Sequence, residues 1–334
     1  HNPNFLNVKV NGEDAANPFR LARSQAATAD ENHSYGAEQH AFHAGLMDSF
    51  PRYTGIPGSA KIRMRTGSEH FASPQQYKDQ TKALVMAYFD GNTVTALWNY
   101  AQHYAINDNS YGTTFGPSTI GAINLVSGQT DGVTDHLNAS NTIIDGGAGT
   151  LTEIDDGDPI GDVCSATNGP LLQFTGNNIG EMLSKSNITW GWFEGGFDLT
   201  RRNANGTTGC RRSTYSKITH ALDPDYTPHH EPFQYYKATA NPQHLRPTSV
   251  RMIGHNGDAA RHQYDVEDFF TAVKAGNFPA VSFLKAPAYQ NAHAGSSDPI
   301  DEQAFIVRVL NFLQRQPDWP STAVILAYDT SEER

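Results

Sequence analysis

Ser118 and Thr119 directly follow a turn-rich loop that ends in Gly116 and Pro117. Residues 120–126 are suited to a helix, so the two hydroxyl side chains are expected at a helix N-terminus. There, exposed N–H groups and the helix dipole favour an anion. A serine at this position is also an ordinary N-cap residue. The segment therefore predicts either a simple helix cap or an anion site.

Histidines are numerous in this chain, with 14 in total, and several lie in polar, loop-like segments. His229 and His230 are adjacent and lie between two prolines, Pro228 and Pro232. Because proline restricts the backbone, this loop is suited to holding an imidazole pair in fixed positions. An isolated histidine is more often a surface or core residue, and no H-E-x-x-H motif supports zinc-protease chemistry. Three further candidates occur in similar contexts: His33, His262 and His293.

Asp329 comes directly after the apolar run 322–328, which we interpret as a strand. A carboxylate at the end of a strand can bind a hard cation, although many strands simply end in aspartate. His293 follows a second apolar run, residues 280–284. Both side chains are therefore expected near one edge of a sheet.

Short apolar runs alternate with helical patterns along much of the chain. The pattern predicts strands at 83–88, 188–193, 280–284 and 322–328, and helices at 93–104, 178–185, 266–274 and 301–314. Asn92 is the expected N-cap of the first helix, and Gly276 the stop of the third. Such alternation favours an α/β fold with a mostly parallel sheet covered by helices on both faces. Ligands bind at the carboxyl ends of the strands in such sheets.

Two segments read as loop-rich surface excursions, residues 138–170 and 198–215. The second holds four arginines, which we interpret as a solvated basic loop: Arg201, Arg202, Arg211 and Arg212. Two cysteines are too few for a disulfide framework or a cysteine-based zinc site, and whether they form a single disulfide stays open.

The composition excludes several classes of function. The formal net charge is −11 and the pI about 5.6, which argues against a nucleic-acid partner. No apolar run reaches the roughly 18 residues of a transmembrane segment. With 38% hydrophobic and 10% aromatic residues, the chain can build a core, so disorder is not expected.

Four long stretches resemble the bacterial phosphoesterase family of non-haemolytic phospholipase C and a secreted acid phosphatase. They read RLARSQAATADENHSYGAEQ, DGNTVTALWNYAQHYAINDNSYGTTFGPST, DYTPHHEPFQYY and AVSFLKAPAYQNAHAGSSDPIDEQ. The likeness extends over residues 18–329. It implies a core of the alkaline phosphatase and arylsulfatase type, in one domain over 1–334 with loop-rich insertions within 138–215. It also implies a secreted or periplasmic location.

The resemblance implies hydrolysis of a phosphodiester, as by phospholipase C, or of a phosphomonoester, as by acid phosphatase. The substrate would be a phosphate ester, including phospholipid head groups, and the reaction a metal-assisted attack through a phosphoserine. By motif, Ser118 is the nucleophile, with Thr119 the alternative register. The matching histidines around the phosphoryl group are His33, His229, His230 and His293. Asp329 and Ser118 would bind one divalent ion, calcium or magnesium, and Thr119 and Asn109 would contact the substrate.

Three departures from the family pattern bear on activity. The family's metal-binding Glu-Asn pair would precede His1, and Thr330 stands where a second aspartate is expected. Ile120 occupies a position where proline is common. The chain is therefore expected to be a fragment without its N-terminal strand and C-terminal end, or a non-catalytic member that binds a phosphorylated ligand or a surface partner. The matching core motifs favour the first interpretation.

Overall fold

The computed structural model describes residues 18–55, 84–147 and 149–330, which form a mixed α/β fold. Its α-helices are α1 (Tyr35–Phe42), α2 (Phe50–Tyr53), α3 (Thr95–His103), α4 (Ser118–Ser127), α5 (Ile179–Lys185), α6 (Val266–Lys274) and α7 (Pro299–Leu313). Its strands are β1 (Phe19–Leu21), β2 (Ala87–Phe89), β3 (Asp131–Leu137), β4 (Ile143–Asp145), β5 (Leu151–Glu153), β6 (Asp158–Pro159), β7 (Leu171–Phe174), β8 (Trp190–Glu194), β9 (Ser213–Ser216), β10 (Ala221–Pro224), β11 (Gln263–Asp265) and β12 (Val281–Lys285). Within the described ranges, no helix combines the length and apolar character that crossing a membrane requires.

A three-stranded parallel sheet in the order β11–β8–β12 lies at the centre of the fold. Its middle strand, β8, is buried along its whole length. Because successive side chains point to opposite faces, Phe193 packs against α6 and α7, whereas Trp190 and Trp192 face the other way. The two tryptophans pack against α5 and three aromatic residues, Phe233, Tyr235 and Tyr236. The strands end in register at three charged residues, with Glu194 between Asp265 and Lys285. The expectation of a parallel sheet covered on both faces therefore describes this sheet.

A second sheet of five strands, in the order β4–β5–β3–β7–β6, is antiparallel except for the β6–β7 pair. It contains β4, β5 and β6, which lie in the region 138–170, where the sequence predicts a surface excursion. The Asn, Gly and Asp residues of this region form the tight turns between very short strands. Its composition therefore predicts turns correctly but does not predict the strands between them. The chain is thus mixed α/β, and these sheets do not confirm a single parallel core of the alkaline phosphatase type.

Most of the predicted elements are present close to their expected bounds. Helix α6 begins and ends as predicted, and Gly276 follows it with φ +73°. Asn178 is the N-cap of α5 and accepts a hydrogen bond from the backbone N–H of Glu181. The N-cap prediction for Asn92 is wrong, because α3 begins at Thr95 with Val94 at the cap. The predicted strand 83–88 is reduced to β2, which pairs in parallel with β1, while residue 83 lies outside the described residues.

The predicted strand 322–328 is also wrong, since these residues carry no ladder pairing among the described strands. Ile325, in the middle of the run, is 89% exposed. An apolar run indicates that a segment tends to be buried. A strand forms only where the segment can hydrogen-bond to the unpaired edge of a neighbouring strand. The expectation that Asp329 ends a sheet strand fails for the same reason.

The two cysteines form a disulfide, Cys164–Cys210, which answers the question that the sequence left open. The neighbouring Arg212 is not part of a solvated loop. Its buried guanidinium forms ion pairs of 3.0 Å with Asp225 and 3.1 Å with Asp265. Spacing along the sequence could not separate this arginine from its exposed neighbours, because its partners come from other elements: Asp225 directly follows β10, and Asp265 ends β11.

Candidate active site

Helix α4 starts at Ser118, and the loop before it is fixed by a buried carboxylate. Gly116 has φ +104°, a conformation that favours glycine, and Pro117 takes the N-cap position. The backbone N–H of Gly116 donates to Glu38 of α1 at 2.6 Å. The interpretation of Ser118 as an N-cap is therefore wrong: it is the first helical residue, and its side chain does not cap the helix. Ser118 is 3% exposed.

Asp156 occupies part of the positive end of α4. Its carboxylate accepts hydrogen bonds from the Thr119 hydroxyl at 2.7 Å and from the Thr119 backbone N–H at 3.3 Å. Negative side chains stabilise this end of a helix. A phosphate group that approaches Ser118 must therefore share the helix end with Asp156. The substrate contact expected of Thr119 stays a prediction, and its hydroxyl already has this partner.

His229 and His230 lie on the short 3₁₀ turn Pro228–His230, which packs against α4. Their rings meet edge to face with centroids 4.7 Å apart. Burial lowers the pKa of His229, but Asp156, Asp158 and Glu194 outweigh it and raise the pKa above its usual value. Burial, Lys285 and His229 hold the pKa of His230 well below its usual value. The adjacent imidazoles thus favour opposite protonation states.

His33 and His293 form a second pair, with ring centroids 5.6 Å apart and the planes nearly perpendicular. His33 Nδ1 lies 3.4 Å from Asp30 Oδ1. Burial opposes protonation of His33, but Asp30, the Glu31 carbonyl and Asp156 raise its pKa to about 9. One ligand atom from each of Asp30, His33 and His293 lies within 4.8 Å of the others, a spacing that can hold a metal ion.

Electrostatic coupling joins the two histidine pairs. His293 lowers the pKa of His230, and Asp156 raises the pKa of both His33 and His229. The structure thus brings the four predicted histidines to the region where α4 begins. They come from three separate parts of the chain, and the loops of two of them are joined by a 3.0 Å hydrogen bond from the Gly295 N–H to the Thr28 carbonyl.

Asp329 lies beside the first turn of α4, where a Cβ on Gly121 would overlap the Asp329 carbonyl oxygen. Its carboxylate forms a 3.0 Å ion pair with Lys285, at the end of β12. The lysine ammonium stands close to where a cation on Asp329 would bind, so a metal there must compete with it. Metal binding by Asp329 and Ser118 stays a prediction.

Two other predicted residues, Asn109 and His262, have no described contact with the four histidines of the candidate site. Asn109 is exposed in the loop between α3 and α4, where its amide donates to Asp108 at 3.4 Å. His262 is a core residue that stacks on Trp190 and hydrogen-bonds its carbonyl oxygen at 2.8 Å. Of the two, only His262 has a described structural role.

Sequence reasoning missed the carboxylates that surround the histidines. Asp156 and Asp158 come from the segment 153–158, in which four of six residues are acidic. This high proportion of acidic residues is the one signal in the sequence that could have identified them, but the segment lies within the predicted loop-rich excursion 138–170. Behind His229, Glu194 and Glu231 are both buried, and desolvation raises the pKa of each carboxyl. The site is therefore rich in carboxylates as well as imidazoles.

The family model of the phosphoesterases matches residues 5–333 of the chain. The chain belongs to the phosphoesterase family. No curated protein sequence matches it. Membership in this family supports a hydrolase that acts on phosphoric esters. In this phosphoesterase, Asp30, His33 and His293 are compatible with a bound metal ion.

Proposed function

We propose that this phosphoesterase hydrolyses phosphate esters through a covalent phosphoserine at Ser118. The observation that carries the proposal is that the turn of the His229–His230 pair packs against the helix that begins with Ser118. The His33–His293 pair supports it, because His293 lowers the pKa of His230 and Asp156, the partner of Thr119, raises the pKa of His33. A serine hydroxyl is a weak nucleophile until a neighbouring base accepts its proton. Imidazoles of differing protonation state supply both a base and an acid.

In the first step, Ser118 Oγ forms a bond to phosphorus as the bond from phosphorus to the leaving oxygen breaks. The serine proton passes to His230, whose surroundings keep it neutral. The leaving oxygen takes the electron pair of the broken bond and a proton from His229, whose surroundings favour the imidazolium. In the second step, a water oxygen forms a bond to phosphorus as the bond from phosphorus to Ser118 Oγ breaks. The water gives a proton to His229, and Ser118 Oγ keeps the electron pair of the broken bond and takes a proton from His230. Both histidines and the serine are thereby restored.

We further propose one divalent ion at Asp30, His33 and His293. Two imidazoles and one carboxylate suit zinc or a similar transition metal better than calcium or magnesium. Such an ion would stabilise negative charge on the phosphoryl oxygens. The alternative is calcium or magnesium on Asp329 and Ser118, which agrees with the resemblance but must compete with Lys285.

The disulfide supports a secreted or periplasmic location, because such bonds persist in oxidising compartments. For the substrate, we propose either a phosphodiester of the phospholipase C type, including a phospholipid head group, or a phosphomonoester of the acid phosphatase type. A second candidate function is non-catalytic binding of a phosphorylated ligand. The Lys285–Asp329 ion pair favours this non-catalytic function, because a predicted metal ligand, Asp329, is already paired with a lysine.

The test compares Ser118→Ala with Ser127→Ala, the serine at the opposite end of α4, which serves as the matched control. Hydrolysis of p-nitrophenyl phosphate and p-nitrophenyl phosphocholine is measured for both variants. Ser118→Ala should lose at least about 1,000-fold in kcat and the control little, because removing an activated nucleophile abolishes the covalent route. Equal rates in the two variants would refute the role of Ser118. A wild-type chain that binds inorganic phosphate but hydrolyses neither ester would favour the non-catalytic function.

A further inference from the structure

Asp158 stands at the edge of the five-stranded sheet and is oriented by the backbone around it. Its own N–H donates to the Pro170 carbonyl at 2.9 Å. Its carboxylate oxygen Oδ2 accepts a 2.8 Å hydrogen bond from the Ala166 N–H. The other oxygen, Oδ1, lies 3.1 Å from His229 Nδ1. The backbone of residues 166–170 therefore holds the Asp158 carboxylate in place independently of the imidazole.

The hydrogen bond decides which nitrogen of His229 carries a proton. An ionised carboxylate only accepts hydrogen bonds, so Nδ1 must donate. The proton that exchanges with other groups is then on Nε2. The side chains of His229 and Asp158 are 29% and 14% exposed, so the bond is largely shielded from water.

We propose that Asp158 is a positioning residue, which fixes His229 in the Nδ1–H form so that Nε2 delivers its proton to the leaving oxygen of the ester. This inference rests on the proposed function. When Nε2 gives up its proton, His229 remains neutral with its other proton still on Nδ1, and Asp158 gains none. The electron pair of the broken ester bond stays on the leaving oxygen, which takes the proton.

The other charged groups that influence His229 are already engaged elsewhere. Asp156 accepts from Thr119, and Glu194 accepts from the Trp192 indole at 3.1 Å. These groups contribute charge, whereas Asp158 alone among the described residues has a hydrogen bond to the His229 ring.

The substitution Asp158→Asn is expected to change which nitrogen of His229 carries the proton. The Ala166 N–H needs an acceptor, so the new amide should turn its oxygen to Ala166 and its NH₂ group to His229. His229 Nδ1 would then have to accept, and the proton of the neutral ring would move to Nε2. Asp135→Asn is the matched control, because Asp135 is an exposed aspartate on β3 of the same sheet, paired with Lys237.

Two measurements test the proposal. Nitrogen NMR of the imidazoles, with the His229 signals assigned by their loss in His229→Gln, should show a protonated Nδ1 in wild type and in the control but not in Asp158→Asn. Kinetically, Asp158→Asn should lower kcat/KM for phenyl phosphate about 10- to 100-fold and change it much less for p-nitrophenyl phosphate, whose weakly basic leaving group needs little protonation. This ratio reports the phosphorylation of Ser118, in which the leaving group departs, and does not include the later hydrolysis that the two esters share.

Unchanged His229 signals in Asp158→Asn would overturn the proposal. Equal losses of kcat/KM for the two esters would overturn it as well, because a merely structural role does not depend on the leaving group. A wild-type protein without esterase activity would refute the proposed function, and the NMR measurement would still decide whether Asp158 sets the His229 tautomer.

Discussion

Removal of the Cys164–Cys210 disulfide should destabilise the protein strongly. The two cysteines are 46 residues apart in sequence. For a loop of this length, the loss of chain entropy in the unfolded state corresponds to about 4 kcal/mol of stability. The cross-link also borders a buried network, since the Cys164 N–H donates to Asp162 at 2.7 Å and Asp162 in turn binds His244 at 3.0 Å. The double variant Cys164→Ala/Cys210→Ala is therefore expected to lose about that amount.

Urea unfolding, followed by tryptophan fluorescence and by far-UV circular dichroism, measures this free energy. Coincident transitions by the two probes are needed to justify a two-state analysis. The reduced wild-type protein is the control, because it lacks the cross-link but keeps both cysteine side chains, and its stability should approach that of the double variant. A loss below about 1 kcal/mol in both proteins would refute the loop-closure reasoning.

Two further predictions concern buried charge and metal binding. Arg212→Met should cost about 3–5 kcal/mol in urea unfolding, because it leaves two buried aspartates without their cation. Arg211→Met, at the exposed neighbouring position, should change stability by less than about 0.5 kcal/mol, and equal effects would contradict the buried ion pair. In calorimetric titrations of chelator-treated protein, His33→Ala and His293→Ala should each weaken Zn²⁺ binding at least about tenfold. The exposed His255→Ala serves as the control, and unchanged affinity in the first two variants would exclude the site.

Local signals predicted helices α3, α5, α6 and α7 and two of the three strands of the parallel sheet, β8 and β12, close to their observed bounds. Helix α6 combines an apolar face with a stop at Gly276, so its bounds depend on interactions within a few residues. Strand β8 is a continuous apolar run because it is buried on both faces. Such features follow from the sequence because neighbouring residues determine them.

The elements that the sequence did not predict depend on distant partners. The five-stranded sheet consists of strands as short as two residues, too short for a periodic pattern to identify. Residues 322–328 have the pattern of a buried strand, yet the described strands pair with none of them. Whether a segment joins a ladder depends on an available edge, which no local pattern records.

For the candidate site, the sequence by itself determined that Ser118 begins a helix and that His229 and His230 share a turn stiffened by prolines. Both facts follow from backbone preferences of adjacent residues. Only the tertiary structure decided that the pKa values of the two histidines shift in opposite directions. His229 meets Asp158, 71 residues away in sequence, whereas His230 is buried near Lys285. A pKa depends on burial and on charges within a few ångströms, and folding alone decides which charges those are.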